Sequence, residues 1–143
     1  GWTSTNYAAL SCGEYFPKCL NDWWPDMDFA GALYWGSLGV DYEYGILENS
    51  ARSAIQMIHC IAALITTALM LLLIYLFRSY IHLRSNLILI AILLTTQITL
   101  GILNVVLSLP IIIAVLHNAV ALLLLLGIIS RLCLISWVYL SGF

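Results

Sequence analysis

Charge is what this sequence has least of. Only 8% of its 143 residues are Asp, Glu, Lys or Arg, too few to cover the surface of a water-soluble domain. No acid follows Glu48, and lysine occurs once, at Lys18. With 63% hydrophobic residues, the chain reads as an integral membrane protein, and topology is the open question. Five bases scattered along membrane edges leave no footprint for a nucleic acid. Internal repeats and low-complexity tracts are also missing. The opening "GWTSTNYAAL" has neither a Met nor a signal-peptide pattern. The expectation is a C-terminal piece of a longer protein, with another membrane helix before Gly1.

The few charges are segregated. Residues 1–50 hold all seven acids and one base, net −6, and the remainder holds four arginines and no acid, net +4. An aqueous loop segment (1–50) therefore precedes a transmembrane helical bundle (51–143). The predicted fold class is all-α, with helices over about 52–77, 86–107 and 110–130 or longer. Each exceeds the roughly 20 apolar residues that a span needs. Pro110 suits a first helical turn, where its missing N–H costs nothing, so "SLP" (108–110) is a tight turn. Ser130 and Arg131 interrupt the last apolar run. Arg131 is expected to snorkel at the far interface. "LCLISWVYL" then either continues the helix or lies along the surface, with Trp137 and Tyr139 as belt residues.

The loop "RSYIHLRSN" (78–86) carries Arg78 and Arg84, whereas the 108–110 turn is uncharged. Positive-inside puts 78–86 in the cytoplasm or matrix and residues 1–50 on the exoplasmic side. Cys12 and Cys19, with six residues between them, would there be free to form a disulfide. Two free thiols are the alternative, and a loop clip is favoured over a redox role. Cys60 and Cys133 read as buried structural thiols. Trp23, Trp24, Phe29, Tyr34, Trp35, Tyr42 and Tyr44 suggest a loop lying over the helix ends. "PDMDFAGALYW" suggests a short interfacial helix starting near Pro25 or Asp26.

Two histidines sit inside apolar runs. His59 follows Arg52 by seven residues and His117 follows Pro110 by seven, so each lies about 10 Å into its helix. The first and third helices run in the same direction, which matches the two depths. Ala62, Ala63 and Thr66 flank His59, and Ala114 and Ala121 flank His117, all at helical spacing. Small residues leave room for something flat and wide, or let helices approach closely. Seven residues turn through about 700°, so Arg52 and His59 share a face. Paired imidazoles, small neighbours and a cation two turns higher describe a bis-histidine haem whose propionates meet Arg52.

A single histidine in a span is as readily an interhelical hydrogen-bonding group; two at equal depth favour a shared ligand. Zinc or copper fits less well, because Cys60 lies about 100° around the helix from His59. His82 reads as a solvated loop residue. Gln97, Gly101 and Asn104 form one polar, small face of the second helix. Packing and hydrogen bonding are the favoured reading for that face, with orientation of a ligand edge as the alternative. Gln56, one turn above His59, could likewise orient a ligand edge.

"GWTSTNYAALSCGEYFPKCLNDWWP", "IQMIHCIAA" and "QITLGILNVVLSLPIIIAVLHNAVALLLL" together resemble the C-terminal half of the haem A synthase family. They match its exoplasmic Cys-pair loop, its Gln-x-x-His-Arg motif and its last two helices. The resemblance implies two similar four-helix halves, one acting on haem O and the other holding haem b. His59 and His117 would then be the haem b ligands, Arg52 and Gln56 further cofactor contacts, and Cys12–Cys19 the loop disulfide. Gln56 occupies the place of the other half's catalytic glutamate, so a cofactor half is expected here. The catalytic residues and the haem O site would lie in the missing half. Only three helices of a four-helix half are present, so this piece alone is expected to be inactive. Cys60 stands where the family has Arg, which leaves Arg52 as the cation for a propionate.

The implied reaction is oxidation of a haem methyl group to a formyl group. Implied partners are membrane lipid, haem O, haem O synthase and cytochrome oxidase assembly factors. The implied location is a bacterial plasma membrane, with the mitochondrial inner membrane as the alternative. A bis-histidine cytochrome that only transfers electrons is the competing function. A chain that binds no haem is a third.

Overall fold

A computed structural model describes residues 2–33 and 47–140, with backbone alone for 131–140. Every regular element of any length in it is a helix. Two short helices, α1 (Trp2–Thr5) and α2 (Phe29–Ala32), precede three long ones, α3 (Asn49–Phe77), α4 (Arg84–Val106) and α5 (Ile111–Leu140). A 3-10 turn, Ile81–Leu83, leads into α4. All three long helices are apolar and long enough to cross a membrane. Their lipid-type surface is plain in the exposed side chains of Leu64, Leu69, Leu71, Ile92 and Leu122.

The first compact unit comprises residues 1–66 and 102–109. Its core is small: Ala8, Ala32, Ala54 and Ile55 are buried together, with Met27, Phe29 and Leu47 against them. Small side chains let the 1–33 segment lie directly on the first turns of α3. α2 starts from Asp28, whose extended backbone and side-chain bond to the Gly31 N–H at 2.9 Å make it the N-cap. The start expected at Pro25 or Asp26 is corrected accordingly: the aspartate that meets a free helical N–H is the one directly before Phe29. Trp23 and Trp24 are exposed. Tyr34, Trp35, Tyr42 and Tyr44 lie outside the described residues.

A sharp turn follows α4. Ser108 and Leu109 both have positive φ, 56° and 61°, a left-handed conformation that costs a non-glycine residue about 1–2 kcal/mol. The Leu109 N–H donates to Asn104 O at 2.7 Å, and Ser108 N–H to Val105 O at 3.2 Å. Ser108 Oγ also donates to the Glu14 carboxylate. Local hydrogen bonds and one side-chain tie from the 1–33 segment thus hold a turn that the residue types alone disfavour.

The second unit comprises residues 67–101 and 110–143. Met70, Ile90, Leu94 and Leu124 form its core, flanked by Ile74, Leu93 and Ile128. Each of α3, α4 and α5 contributes, so the hydrocarbon-facing helices cohere by van der Waals packing. Thr95, Thr96 and Thr99 return their hydroxyls to carbonyls four residues back, each at 2.9 Å. Asn118 does the same through its amide, at 3.0 Å to Ala114 O. These polar side chains are satisfied within their own helices, as a lipid environment requires. α5 continues unbroken past Arg131 to Leu140, which resolves the ambiguous end in favour of a helix. The side chains of Arg131, Cys133, Trp137 and Tyr139 are outside the described set.

Candidate functional site

In the first unit the polar residues of α3 divide within one turn. Ser53 is fully buried and Gln56 nearly so, whereas His59 and Cys60 are exposed. The change coincides with the end of the 1–33 segment's footprint. Cys12 and Cys19 are joined by a disulfide with Cα atoms 4.3 Å apart, so the loop clip expected from their spacing is present. Gln56 Oε1 accepts the Cys12 backbone N–H at 2.7 Å and lies 3.2 Å from Ser11 Oγ. Ser53 Oγ donates to Ser11 O at 3.2 Å. Within the loop, Leu20 N–H donates to Cys12 O at 3.0 Å, and Cys19 and Asp22 exchange backbone bonds at 2.9 Å. Gln56 is therefore an anchor for the disulfide loop, and its carbonyl is directed at that loop.

Arg52 and His59 share a face of α3, two turns apart. Arg52 is half-buried, and its Nε is buried with no hydrogen-bond partner among the described residues. Below His59 the same face continues through Ala62, Ala63 and Thr66, all exposed. The expectation of a buried thiol at Cys60 is overturned: it is a free, exposed cysteine. A spanning helix turns many of its apolar positions outward, so an apolar neighbourhood in sequence is no sign of a protein core.

In the second unit His117 lies against α4. Gln97 Nε2 is 3.2 Å from His117 Nε2. A Cβ on Gly101 would come within 3.2 Å of His117 Cε1 and 3.7 Å of Nδ1. Gly101 thus allows the imidazole an approach that a Cβ would permit only after a shift of a few tenths of an ångström. Of the polar face expected on α4, Gln97 and Gly101 meet His117, whereas Asn104 belongs to the first unit and is buried there. The Gln56–Cys12 and Ser108–Glu14 contacts were not anticipated. The Gly101–His117 approach was legible: each residue lies eight positions from Leu109, so a tight hairpin sets them level. Among the described residues no three His, Cys, Asp or Glu side chains group as a set for a bare metal ion.

These features define an integral membrane protein whose apolar helices carry imidazoles and anchor a disulfide-clipped loop. Residues 1–129 match the model of the COX15-CtaA family, described as cytochrome oxidase assembly protein. The chain is also 41% identical over 131 residues to a protein described as "Heme A synthase" from Shewanella oneidensis, covering 91% of this chain and 39% of that protein. It belongs to this haem A synthase family and spans about two fifths of the curated relative's length. No solved structure matches the chain.

Proposed function

We propose that the chain is the haem b-binding, C-terminal half of a membrane haem A synthase, which oxidises a methyl group of haem O to a formyl group. Residues 1–50 would lie on the exoplasmic side, by the placement of Arg78 and Arg84 in the 78–86 loop. His59 and His117, at matched depth in the sequence, would hold the haem iron. Bound haem b would supply an electron relay to the half that holds the substrate.

The observation that carries this reading is the half-buried Arg52, whose Nε lacks a partner among the described residues, on the same face as an exposed imidazole. An unpaired guanidinium N–H held out of water is costly, and a propionate two turns above the iron ligand would satisfy it with a charge-assisted bond. The second support is the cradle at Gly101, which lets the His117 ring approach α4 closely. Gln56 is neutral and supplies no charge to a reacting centre. Its oxygen is engaged by Cys12 and Ser11, so its part in this half is to hold the loop over the ligand-bearing helix.

The test is the absorption spectrum of the purified full-length protein. A low-spin haem b spectrum is expected, and each of His59→Ala and His117→Ala should abolish it. Persistence of the low-spin spectrum in both variants would overturn the ligand assignment.

A further inference from the structure

The bond between Gln97 and His117 has a direction. A carboxamide nitrogen donates and cannot accept. With Gln97 Nε2 at 3.2 Å, His117 Nε2 can pair with it only as the acceptor, which in a neutral ring puts the proton on Nδ1. That tautomer presents its lone pair from Nε2, the form in which an imidazole ligates a metal through Nε2. The amide N–H therefore sits on the electron pair that an iron atom would take.

Two further features show that the arrangement is specific to the ring. Gln97 Oε1 is buried and has no hydrogen-bond partner among the described residues. An amide placed for its own satisfaction would not leave its oxygen so. Its neighbours Thr95, Thr96 and Thr99 all turn back to their own helix, whereas Gln97 reaches across to α5. Gly101, one turn further on, then lets the ring approach α4 closely, although a glycine within a helix is about 1 kcal/mol worse than alanine.

We propose that Gln97 is a placeholder for iron on His117: its amide N–H fixes the Nδ1-protonated tautomer and occupies Nε2 until haem displaces it. The inference rests on the reading of His117 as a haem ligand. One lone pair cannot serve the amide and the iron together, so loading must break this hydrogen bond. The haem-free chain thereby holds a half-buried imidazole in the tautomer that ligates through Nε2. The same bond opposes loading by about the worth of one hydrogen bond.

The experiment compares the full chain with Gln97→Met, close in volume but unable to hydrogen-bond through an amide, and with Gln97→Glu. Iron protoporphyrin IX is titrated into the haem-free protein in detergent and followed in the Soret band. Gln97→Met should bind about five-fold more tightly, as expected for one net hydrogen bond, with an unchanged low-spin spectrum. Gln97→Glu should bind about ten-fold more weakly, because a carboxylate accepts from the ring and draws the proton to Nε2. Nitrogen NMR of the haem-free chain should show His117 protonated on Nδ1 in the parent and shifted toward Nε2–H in Gln97→Met. Weaker or unchanged binding in Gln97→Met, a high-spin spectrum, or an Nε2-protonated ring in the parent would each overturn the placeholder. His117→Ala separates the two levels: a low-spin spectrum that survives it removes the ligand reading itself, and the placeholder with it.

Discussion

Gln56 Oε1 accepts the backbone N–H of Cys12 at 2.7 Å, across 44 residues of chain. A side chain on a spanning helix thus closes the hydrogen bonding of a disulfide loop outside that helix. Both groups are buried, so neither has water to turn to. Gln56→Leu should cost about 1–3 kcal/mol, the price of a buried N–H left unsatisfied. Gln56→Glu keeps an acceptor and should cost less. Thermal unfolding in detergent gives the magnitudes. Faster reduction of Cys12–Cys19 in Gln56→Leu alone would place the loss at the loop, and equal reduction rates in the two variants would contradict it.

Opening the disulfide removes a short closed loop from the unfolded chain. Its seven-residue separation corresponds to about 2–3 kcal/mol in the chain-entropy account. Cys12→Ser with Cys19→Ser should lower the unfolding midpoint while leaving the helical circular dichroism of α3, α4 and α5 near the parent value. The loop docks on α3 but forms no part of the second unit's core.

Gly101→Ala sets helix propensity against space. The exchange favours the helix by about 1 kcal/mol, yet the new methyl would stand 3.2 Å from His117 Cε1, closer than carbon contacts settle. The ring must shift by a few tenths of an ångström. Helicity is expected to hold or rise, whereas haem affinity falls several-fold and the low-spin band weakens. Unchanged haem binding would show that the cradle is slack.

Arg52 offers a direct check on charge. Arg52→Gln should weaken haem binding by about ten-fold, a discounted charge-assisted bond at a half-exposed position. Raised salt should erode part of the difference. A haem dimethyl ester, with no carboxylates, should bind parent and variant alike.

The left-handed pair at the hairpin supplies the last test. Leu109→Gly relieves a φ of 61° and should be neutral or stabilising by up to about 1 kcal/mol. Leu109→Val, β-branched at the same φ, should destabilise by more than that gain. Thermal unfolding midpoints of the two variants decide the order.

Much of this architecture was readable before any coordinates, because lipid imposes length and apolarity on every span. α3 ends at Phe77 and α4 at Val106, within one residue of expectation. Starts were less legible: α3 begins at Asn49 and α4 at Arg84, since polar residues can enter a first turn without changing hydropathy. Ser130 and Arg131 broke the apolar pattern of α5 but not its backbone, as neither residue type disfavours a helix strongly. At the candidate site, the shared face of Arg52 and His59 follows from helical arithmetic alone. Gln56 was visible as a polar group beside His59, but its partner at Cys12 is a long-range contact that no local spacing encodes. Cys60 was misjudged because hydrophobic neighbours in a membrane chain mark lipid as often as core.

Only four residues, Leu107 to Pro110, separate the end of α4 from the start of α5. Adding a single residue there would wind α5 onward by about 100° and 1.5 Å, carrying His117 off Gly101 altogether. The hairpin is thus a gauge block for the imidazole, and length variation in this protein should be tolerated at its other loops before it is tolerated at this one.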